Sequence, residues 1–205
     1  MAHLIYKLQP NELYRYRTHL LSLDEESRYM RFGFHINNET INQLCNKWQL
    51  SPDKHIIFAI ENDNLEVVGV SHISLEDETP ELAFSVFKEH RKQGMGDALM
   101  KRAIEYCQNR GIKQGYMVCL MSNDKIKSLA RKNGVLVHTD DGDSVGDITI
   151  PDPTPVSFWH ECLENTMGNL DHVGKAHRKF VQMFRFPLHF KEKRYIILLR
   201  QQGAV

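Results

Sequence analysis

Two glycines separated by one residue, between an apolar strand and a helix, constrain the possible folds of this chain more than any other feature. They lie in the segment Arg91-Lys92-Gln93-Gly94-Met95-Gly96, which follows the strand pattern ELAFSVF and precedes apolar residues at helical spacing. Glycine lets the backbone turn tightly with no Cβ in the way, so several N–H groups can face one concavity. The helix that follows adds its unpaired first-turn N–H groups and the positive end of its dipole. The segment therefore predicts a pyrophosphate site, with Arg91 and Lys92 supplying positive charge nearby.

The turn departs from the two common phosphate-binding patterns. Position 99 is Leu99, where the dinucleotide fingerprint G-x-G-x-x-G requires glycine, and no Gly-Lys-Ser/Thr follows, as a P-loop requires. The alternative is a glycine-rich connection between a strand and a helix that binds nothing. The surrounding sequence decides between these two interpretations.

The order of apolar patterns predicts the fold class. Strands and helices alternate late in the chain, and the expected elements are strands at 55–61, 65–76, 81–87 and 115–121, and helices at 95–110 and 124–133. A hairpin with Asp141-Gly142 at its turn follows them. Three strands ahead of the first of these helices are typical of an α+β fold with a mixed, mostly antiparallel central sheet flanked by helices, and not of a doubly wound repeat.

A second segment joins the glycine turn in a family pattern. After the apolar strand GYMVCLM, residues 123–135 read NDKIKSLARKNGV. Together with the strand and R-x-x-G-x-G ahead of it, this resembles the coenzyme A-binding region of the GNAT superfamily of N-acyltransferases, whose second segment reads N-x-x-A-x-x-L-Y-x-K-x-G-F. Four residues match in identity and spacing (Asn123, Leu129, Lys132, Gly134) and three depart (Ile126, Ala130, Val135). A further resemblance, carried by ESRYMRF at 26–32 and ELAFSV at 81–86, is to the bacterial protein-lysine acetyltransferase subgroup.

The resemblance implies an N-acetyltransferase that moves an acetyl group from acetyl-CoA directly to a primary amine, on a small molecule or a protein lysine. It also implies which residues bind the co-substrate. Phe84, Ser85 and Val86 are expected to offer backbone groups to the pantetheine arm, which slots between two splayed parallel strands. The residues expected around the pyrophosphate are Lys92, Gln93, Gly94, Met95, Gly96 and Asp97, with Arg91 beside them. Asn123 is expected to bind the cofactor from the neighbouring strand.

A base is needed because a lysine-like amine, with a pKa of about 10.4, is protonated at neutral pH and must lose a proton before it attacks. Glu81 is the candidate, since it opens the strand that leads to the glycine turn. The resembling lysine acetyltransferases carry a glutamate at that place. The alternative is an ordinary carboxylate exposed at the edge of a strand. Glu76 and Glu78 are nearby substitutes.

The usual general acid of the superfamily is absent. Ala130 stands where relatives carry a tyrosine that returns a proton to the coenzyme A thiolate. The thiolate can leave unprotonated or take a proton from water, and Tyr116 is a further donor, although it lies at the far end of its strand. The loss also motivates an alternative function, a catalytically silent sensor that binds acyl-CoA. Cys119 is expected to be a buried packing residue and not a nucleophile.

Residues 151–205 are expected to form an extension of an acyltransferase domain at residues 1–150. Prolines at 151, 153 and 155 give a stiff connector. A long helix with one apolar stripe follows, the stripe being Val156, Trp159, Leu163, Met167, Leu170, Val173, Phe180 and Phe184. Pro187 ends this helix, and RYIILLR at 194–200 predicts a last strand. The stripe either covers the sheet of its own chain or forms a homodimer contact.

Composition excludes several classes of protein. Lys plus Arg and Asp plus Glu number 26 each, so the formal net charge is zero and nucleic acid is not an expected partner. No apolar run approaches the roughly 18 residues of a membrane helix, and the amino-terminal segment lacks the apolar core of a signal peptide. The four cysteines and the histidines show no metal-ligand spacing. We therefore expect a cytoplasmic protein with no membrane partner and no bound metal.

Overall fold

The computed structural model describes residues 3–120, 123–140 and 143–185. Its strands are β1 (Tyr6–Lys7), β2 (His55–Glu61), β3 (Val67–Ser74), β4 (Glu81–Val86), β5 (Gln114–Leu120), β6 (Leu136–Asp140) and β7 (Asp143–Thr149). Its helices are α1 (Leu13–Ser22), α2 (Glu25–Phe32), α3 (Asn38–Leu50), α4 (Met95–Gln108), α5 (Asp124–Lys132) and α6 (Pro155–Arg185). The predicted turn at Asp141-Gly142 and the predicted strand at 194–200 lie outside the described residues.

The seven strands of the described residues form one sheet in the order β1-β2-β3-β4-β5-β7-β6. Neighbouring strands are antiparallel except β4 and β5, which run parallel. The chain makes that parallel connection through α4, as a crossover requires. The predicted α+β fold with a mixed, mostly antiparallel sheet flanked by helices is confirmed.

The sheet is covered on both faces, which explains why β2 is apolar from Ile56 to Ile60. Ile56, Phe58 and Ile60 of β2 pack in the cluster under α4 and α5. Ile57 and Ala59 alternate with them and pack in a second cluster under α1 and α3. Because successive side chains of a strand point to opposite faces, a strand covered on both sides carries no polar alternation.

Side-chain caps fix where two of the amino-terminal helices begin. The Asp24 carboxylate accepts a hydrogen bond from the Ser27 N–H at 2.8 Å at the start of α2. Asn37 accepts one from the Thr40 N–H at 2.9 Å at the start of α3. Gly33 ends α2 with φ of 80°, a conformation that glycine adopts without strain. These two helices consequently stand at defined angles over β3 and β4, where they wall a cleft.

The predicted long helix is present as α6, which has 31 residues. It contacts the domain through its polar face. Glu161 is buried and accepts hydrogen bonds from Asn109 at 2.6 Å and Arg110 at 3.1 Å, and Lys175 donates to the Glu61 carbonyl at 3.0 Å. Gly168 crosses β1 so closely that a Cβ there would lie 2.1 Å from the Ile5 carbonyl oxygen. The helix is therefore attached by charged groups and one close backbone crossing.

The apolar stripe of α6 faces away from the domain. Its described members, Val156, Trp159, Leu163, Met167, Leu170, Val173 and Phe180, are between 53% and 76% exposed. Among the described residues the stripe is thus not the face of α6 that packs on the domain, and its role as a contact surface stays a prediction. The Phe184 side chain lies outside the described residues. Among residues 3–120, 123–140 and 143–185, no helix combines the length and apolarity needed to cross a bilayer.

Candidate active site

The glycine turn leads directly into α4, as the sequence predicts. Gly94 is the residue before the helix, with φ of 82°, and it caps the helix with no side-chain hydrogen bond. Lys92 also has a positive φ, 62°, which is uncommon for a residue with a Cβ. The first N–H groups of α4 have no acceptor within the helix. The turn therefore presents uncapped amides at the positive end of a 14-residue helix, which suits a phosphate group.

Arg91 faces the protein and not the concavity of the turn. Its Nε donates to the Val86 carbonyl at 3.0 Å, and one terminal nitrogen donates to the Ser27 hydroxyl at 2.6 Å. The guanidinium thereby ties the end of β4 to the start of α2. In this structure Lys92 is the exposed cation of the turn, and Arg91 positions the backbone around it.

His3 lies over the turn and was not predicted. Its Nε2 is 2.6 Å from the Gln93 carbonyl oxygen, and a Cβ built on Gly94 would be 3.9 Å from the same nitrogen. A histidine so near the amino terminus carries no local pattern, so the sequence gives no signal for this contact.

Asp97, in the first turn of α4, connects that helix to α5. Its carboxylate accepts from the Asn133 amide at 2.9 Å and lies 3.0 Å from the ammonium groups of both Lys101 and Lys132. Partial burial opposes ionisation, but these three donors outweigh it and lower the pKa of Asp97 to about 2. Close packing of Gly96 against Leu129, where a Cβ would be 3.1 Å from Cδ2, brings the same two helices together. Asp97 therefore links α4 to the end of α5 beside the turn.

The parallel strands β4 and β5 diverge beyond their first contact. Among the described residues they are paired at one position, Glu81 with Tyr116, where the Tyr116 N–H donates to the Pro80 carbonyl at 3.0 Å. From there β4 runs on through Phe84, Ser85 and Val86 towards the glycine turn with half-buried residues. The backbone groups on the β5 side of β4 are therefore available to an extended ligand, as an added strand would use them.

A cleft of about 300 Å³ opens beside this divergence, between α2, α3 and the sheet. Aromatic side chains of Phe32, Phe34 and Trp48 form part of its wall. The charged lining comprises Glu76, Glu81, Arg31 and Lys47, and the Lys47 ammonium lies 3.2 Å from the Glu76 carboxylate. Apolar walls beside the Glu81 carboxylate suit an amine that carries a cation on an apolar body.

Tyr116 stands next to Glu81 across the parallel strand pair, which the sequence did not reveal. Bridge partners on adjacent strands present their side chains on the same face of the sheet. Burial, together with the negative charges of Glu81 and Asp77, raises the pKa of Tyr116, so its phenol keeps its proton at neutral pH. As the sequence predicts, Tyr116 lies near one end of β5. The register of β5 against β4 brings that end of the strand beside Glu81.

Two buried histidines behind the cleft form a hydrogen-bonded chain. His72, which lines the cleft, is 3.1 Å from His55 and 3.3 Å from the Tyr16 hydroxyl. Burial is the main cause that holds the pKa of His72 well below its usual value, with the charge of Arg31 adding to it. His55 begins β2 and His72 lies within β3, both beside apolar residues, and an ionisable residue next to such a run is the sequence signal that predicts a buried polar network.

The remaining predicted residues have mainly local partners. The Asn123 side chain caps α5 by accepting from the Ile126 N–H at 3.3 Å. Ala130 is fully buried in the core, so no hydroxyl is available at that position. The backbone of Cys119 belongs to β5, and its side chain lies outside the described residues.

A group with metal-ligating side chains lies away from this cleft, between α4 and α6. His160, Glu105 and Glu164 have ligand atoms within 4.8 Å of one another. The Arg102 guanidinium contacts both carboxylates, at 3.7 Å from Glu105 and 3.2 Å from Glu164. A fixed positive charge among the ligands opposes a metal cation, so the group serves as an ion-pair network that docks α6.

Comparison with known proteins identifies the family to which this fold and site belong. The model of the acetyltransferase (GNAT) family matches residues 18–135, more than half of the chain. The chain belongs to this family.

Solved structures with the same fold include several acetyltransferases. The GNAT domain of S. lividans PAT superposes with a TM-score of 0.59 at 16% identity, over 71% of this chain and 89% of that domain. The PaiA N-acetyltransferase from Thermoplasma acidophilum, in complex with coenzyme A, has a TM-score of 0.55 at 18% identity, over 73% of this chain and 99% of its own. The ribosomal-protein-S18-alanine N-acetyltransferase from Escherichia coli has a TM-score of 0.53 at 16% identity, over 75% and 97%. At these identities the likeness is one of fold.

Proposed function

We propose that this protein is an N-acetyltransferase that moves an acetyl group from acetyl-CoA to a primary amine, on a small molecule or a protein lysine. The observation that carries the proposal is the divergence of β4 from β5, with the uncapped turn of α4 at one end and the Glu81–Tyr116 pair at the other. One continuous path thus joins an anion site to a carboxylate. In this proposal residues 1–150 form the acyltransferase domain, and residues 151–205 are an extension of that domain.

The described residues fit acetyl-CoA. Amides from Gly94 to Asp97 and the Lys92 ammonium suit its pyrophosphate, while Phe84, Ser85 and Val86 offer backbone groups to its pantetheine arm. Gln93 and Met95 complete the turn, Arg91 holds the end of β4 beside it, and Asn123, which caps α5, is a further proposed contact of the cofactor. The co-substrate supplies the acetyl group in activated form, as a thioester.

Glu81 is the proposed base, acting on the amine directly or through water. Proton removal exposes the nitrogen lone pair for attack on the carbonyl carbon. Tyr116, whose phenol keeps its proton at neutral pH, is the proposed proton donor for the leaving sulfur in place of the tyrosine that Ala130 replaces. Binding both reactants in the same cleft supplies much of the rate through orientation.

The test is Glu81→Gln in an assay of coenzyme A thiol release across amines and lysine peptides. We expect kcat/KM to fall by about 100-fold or more, as loss of a general base does, with acetyl-CoA affinity unchanged. Glu39→Gln is the matched control, because Glu39 is exposed on α3 and does not line the cleft. Equal turnover of Glu81→Gln and the unmodified protein would remove Glu81 from this role.

The burial of Ala130 supports a second candidate function, a sensor that binds acyl-CoA without turnover. Calorimetry distinguishes the two candidates. Tight binding of acetyl-CoA with no thiol release from any acceptor supports the sensor, whereas release that depends on an amine supports the transferase.

A further inference from the structure

The outward face of α6 repeats with the period of a helix that packs on another helix. Six apolar residues, Val156, Trp159, Leu163, Met167, Leu170 and Val173, form what we call the α6 seam, and each is more than half exposed. Their spacings of three and four residues place 156, 163 and 170 at one heptad position and 159 and 173 at another. Apolar residues at such positions characterise the contact line of coiled coils.

The opposite face of the same helix is the one that docks on the domain. Glu161, Gly168 and Lys175, again seven residues apart, are buried there. Gly168 fixes the rotation of the helix, because a side chain in its place would meet the Ile5 carbonyl. The domain therefore holds the α6 seam outward.

The apolar area of the α6 seam is large enough for a small specific dimer interface. Six such side chains expose roughly 600 Å² of apolar surface, given about 150–250 Å² for a whole aromatic side chain and less for an aliphatic one. That lies at the upper end of the largest patch on a typical monomer, about 300–600 Å². Two copies would bury roughly 1,200 Å², the lower bound of specific interfaces.

The helix dipole of α6 favours a second copy in antiparallel orientation, because the two dipoles then oppose each other. The charged side chains of α6 are largely used within the chain: Glu161 is buried against Arg110, and Lys179 donates to the Asn64 carbonyl. The contact with a second copy therefore rests on the apolar residues. Residues 155–174 also hold no Lys or Arg, whereas helices that adsorb to anionic membranes carry them on the polar face.

We propose that the α6 seam is a homodimer interface in which two α6 helices pack antiparallel around a two-fold axis. A two-fold contact uses the same patch on both copies, so a self-complementary apolar line satisfies it. The proposal is independent of the chemistry assigned to the cleft.

Sedimentation equilibrium of the full chain tests it. We expect a species of about twice 23.9 kDa for the unmodified protein. In the double variant Leu163→Glu with Leu170→Glu, we expect the dimer dissociation constant to rise more than tenfold and the circular dichroism to stay unchanged, because both side chains are exposed. Leu50→Glu is the control, since Leu50 is an exposed leucine at the end of another helix. It should leave the dimer intact.

Three results would overturn the proposal. One is a dimer that survives the double substitution. A second is a monomeric unmodified protein whose melting temperature drops in the double variant, which would mean that residues of the same chain cover the seam. A third is a monomer that binds phosphatidylserine vesicles through the seam. The orientation is tested by Val156→Cys in a Cys162→Ser background, where efficient disulfide cross-linking would indicate a parallel pair and contradict the antiparallel one.

Discussion

His19 shows how a single buried side chain ties the amino-terminal helices to the site. Its Nδ1–H donates to the Val67 carbonyl at 2.8 Å, which leaves Nε2 to accept from the Ser85 hydroxyl at 2.8 Å. The ring also stacks on Phe87 at 4.6 Å between centroids. Burial lowers the pKa of His19 to about 4, although the bond to Val67 opposes the shift. The neutral ring therefore holds α1 against the start of β3 and the end of β4.

This depressed pKa makes stability depend on pH. The unfolded chain binds a proton at His19 below about pH 6.5 while the folded protein does not, so stability is present above that pH and is lost as pH falls towards 4. Between pH 7 and pH 5 the unmodified protein should lose about 2 kcal/mol more free energy of unfolding than His19→Gln. Urea unfolding at both pH values measures this.

His177→Gln is the matched control for that experiment, because His177 is exposed on α6 and has none of the contacts of His19. If His19→Gln and the unmodified protein lose the same free energy between pH 7 and pH 5, His19 is protonated in the folded protein. The network described around it is then incorrect.

Individual site residues were predictable only where local sequence determines them. Gly94 and Gly96 are specified by their position between a strand and a helix, and Glu81 by its place at the start of β4. The hydrogen bonds of Arg91 to Ser27 and of His3 to Gln93 join distant parts of the chain. Tyr116 meets Glu81 only through the register of β5 on β4, which no spacing within either strand records.

At the scale of elements, α6 contains two glycines with opposite roles. Gly168 sits where a Cβ would lie 2.1 Å from a backbone oxygen, whereas a Cβ at Gly174 would be 3.8 Å from the mobile end of Arg178. Both residues carry the same cost to a helix relative to alanine, about 1 kcal/mol. Their environments alone distinguish them.

Replacing each glycine with alanine should therefore change the stability in opposite directions. Gly174→Ala is expected to stabilise by about 0.5–1 kcal/mol through its helix propensity. Gly168→Ala is expected to destabilise by about 1–3 kcal/mol, because α6 must move away from β1 to admit the methyl group. Thermal unfolding of the two variants measures the difference. A rise in melting temperature for both would show that α6 does not cross β1 at this distance.

The existence and bounds of the elements followed from sequence more readily than their orientation. β2 is present at the predicted residues, because an apolar run bounded by turn residues defines a buried strand locally. The direction of the α6 stripe was not predictable from its apolar residues, since a stripe indicates which residues avoid water and not which surface covers them. The buried repeat of Glu161, Gly168 and Lys175 was the signal for the docking face.

At the scale of the molecule, one sheet with the divergent strand pair β4 and β5 positions both the glycine turn and the cleft. The two cores fix β2 and β3, and α4 crosses between β4 and β5 with its amino terminus at the divergence. The cleft of the aromatic and acidic residues opens on the other side of the same pair. The two ends of the proposed reaction path thus share one rigid support, while α6 presents its seam on a separate face.

The most direct test of this arrangement is calorimetric titration with acetyl-CoA of Gly94→Ala beside Gly111→Ala. Both glycines have positive φ, 82° and 71°, so each alanine meets a similar backbone strain of about 1–2 kcal/mol. Only Gly94 belongs to the turn of α4. We predict that the unmodified protein and Gly111→Ala bind equally and that Gly94→Ala binds at least about tenfold more weakly, a loss of about 1.4 kcal/mol. Equal binding by all three proteins, or none by the unmodified one, would contradict the assignment of the turn as the pyrophosphate site.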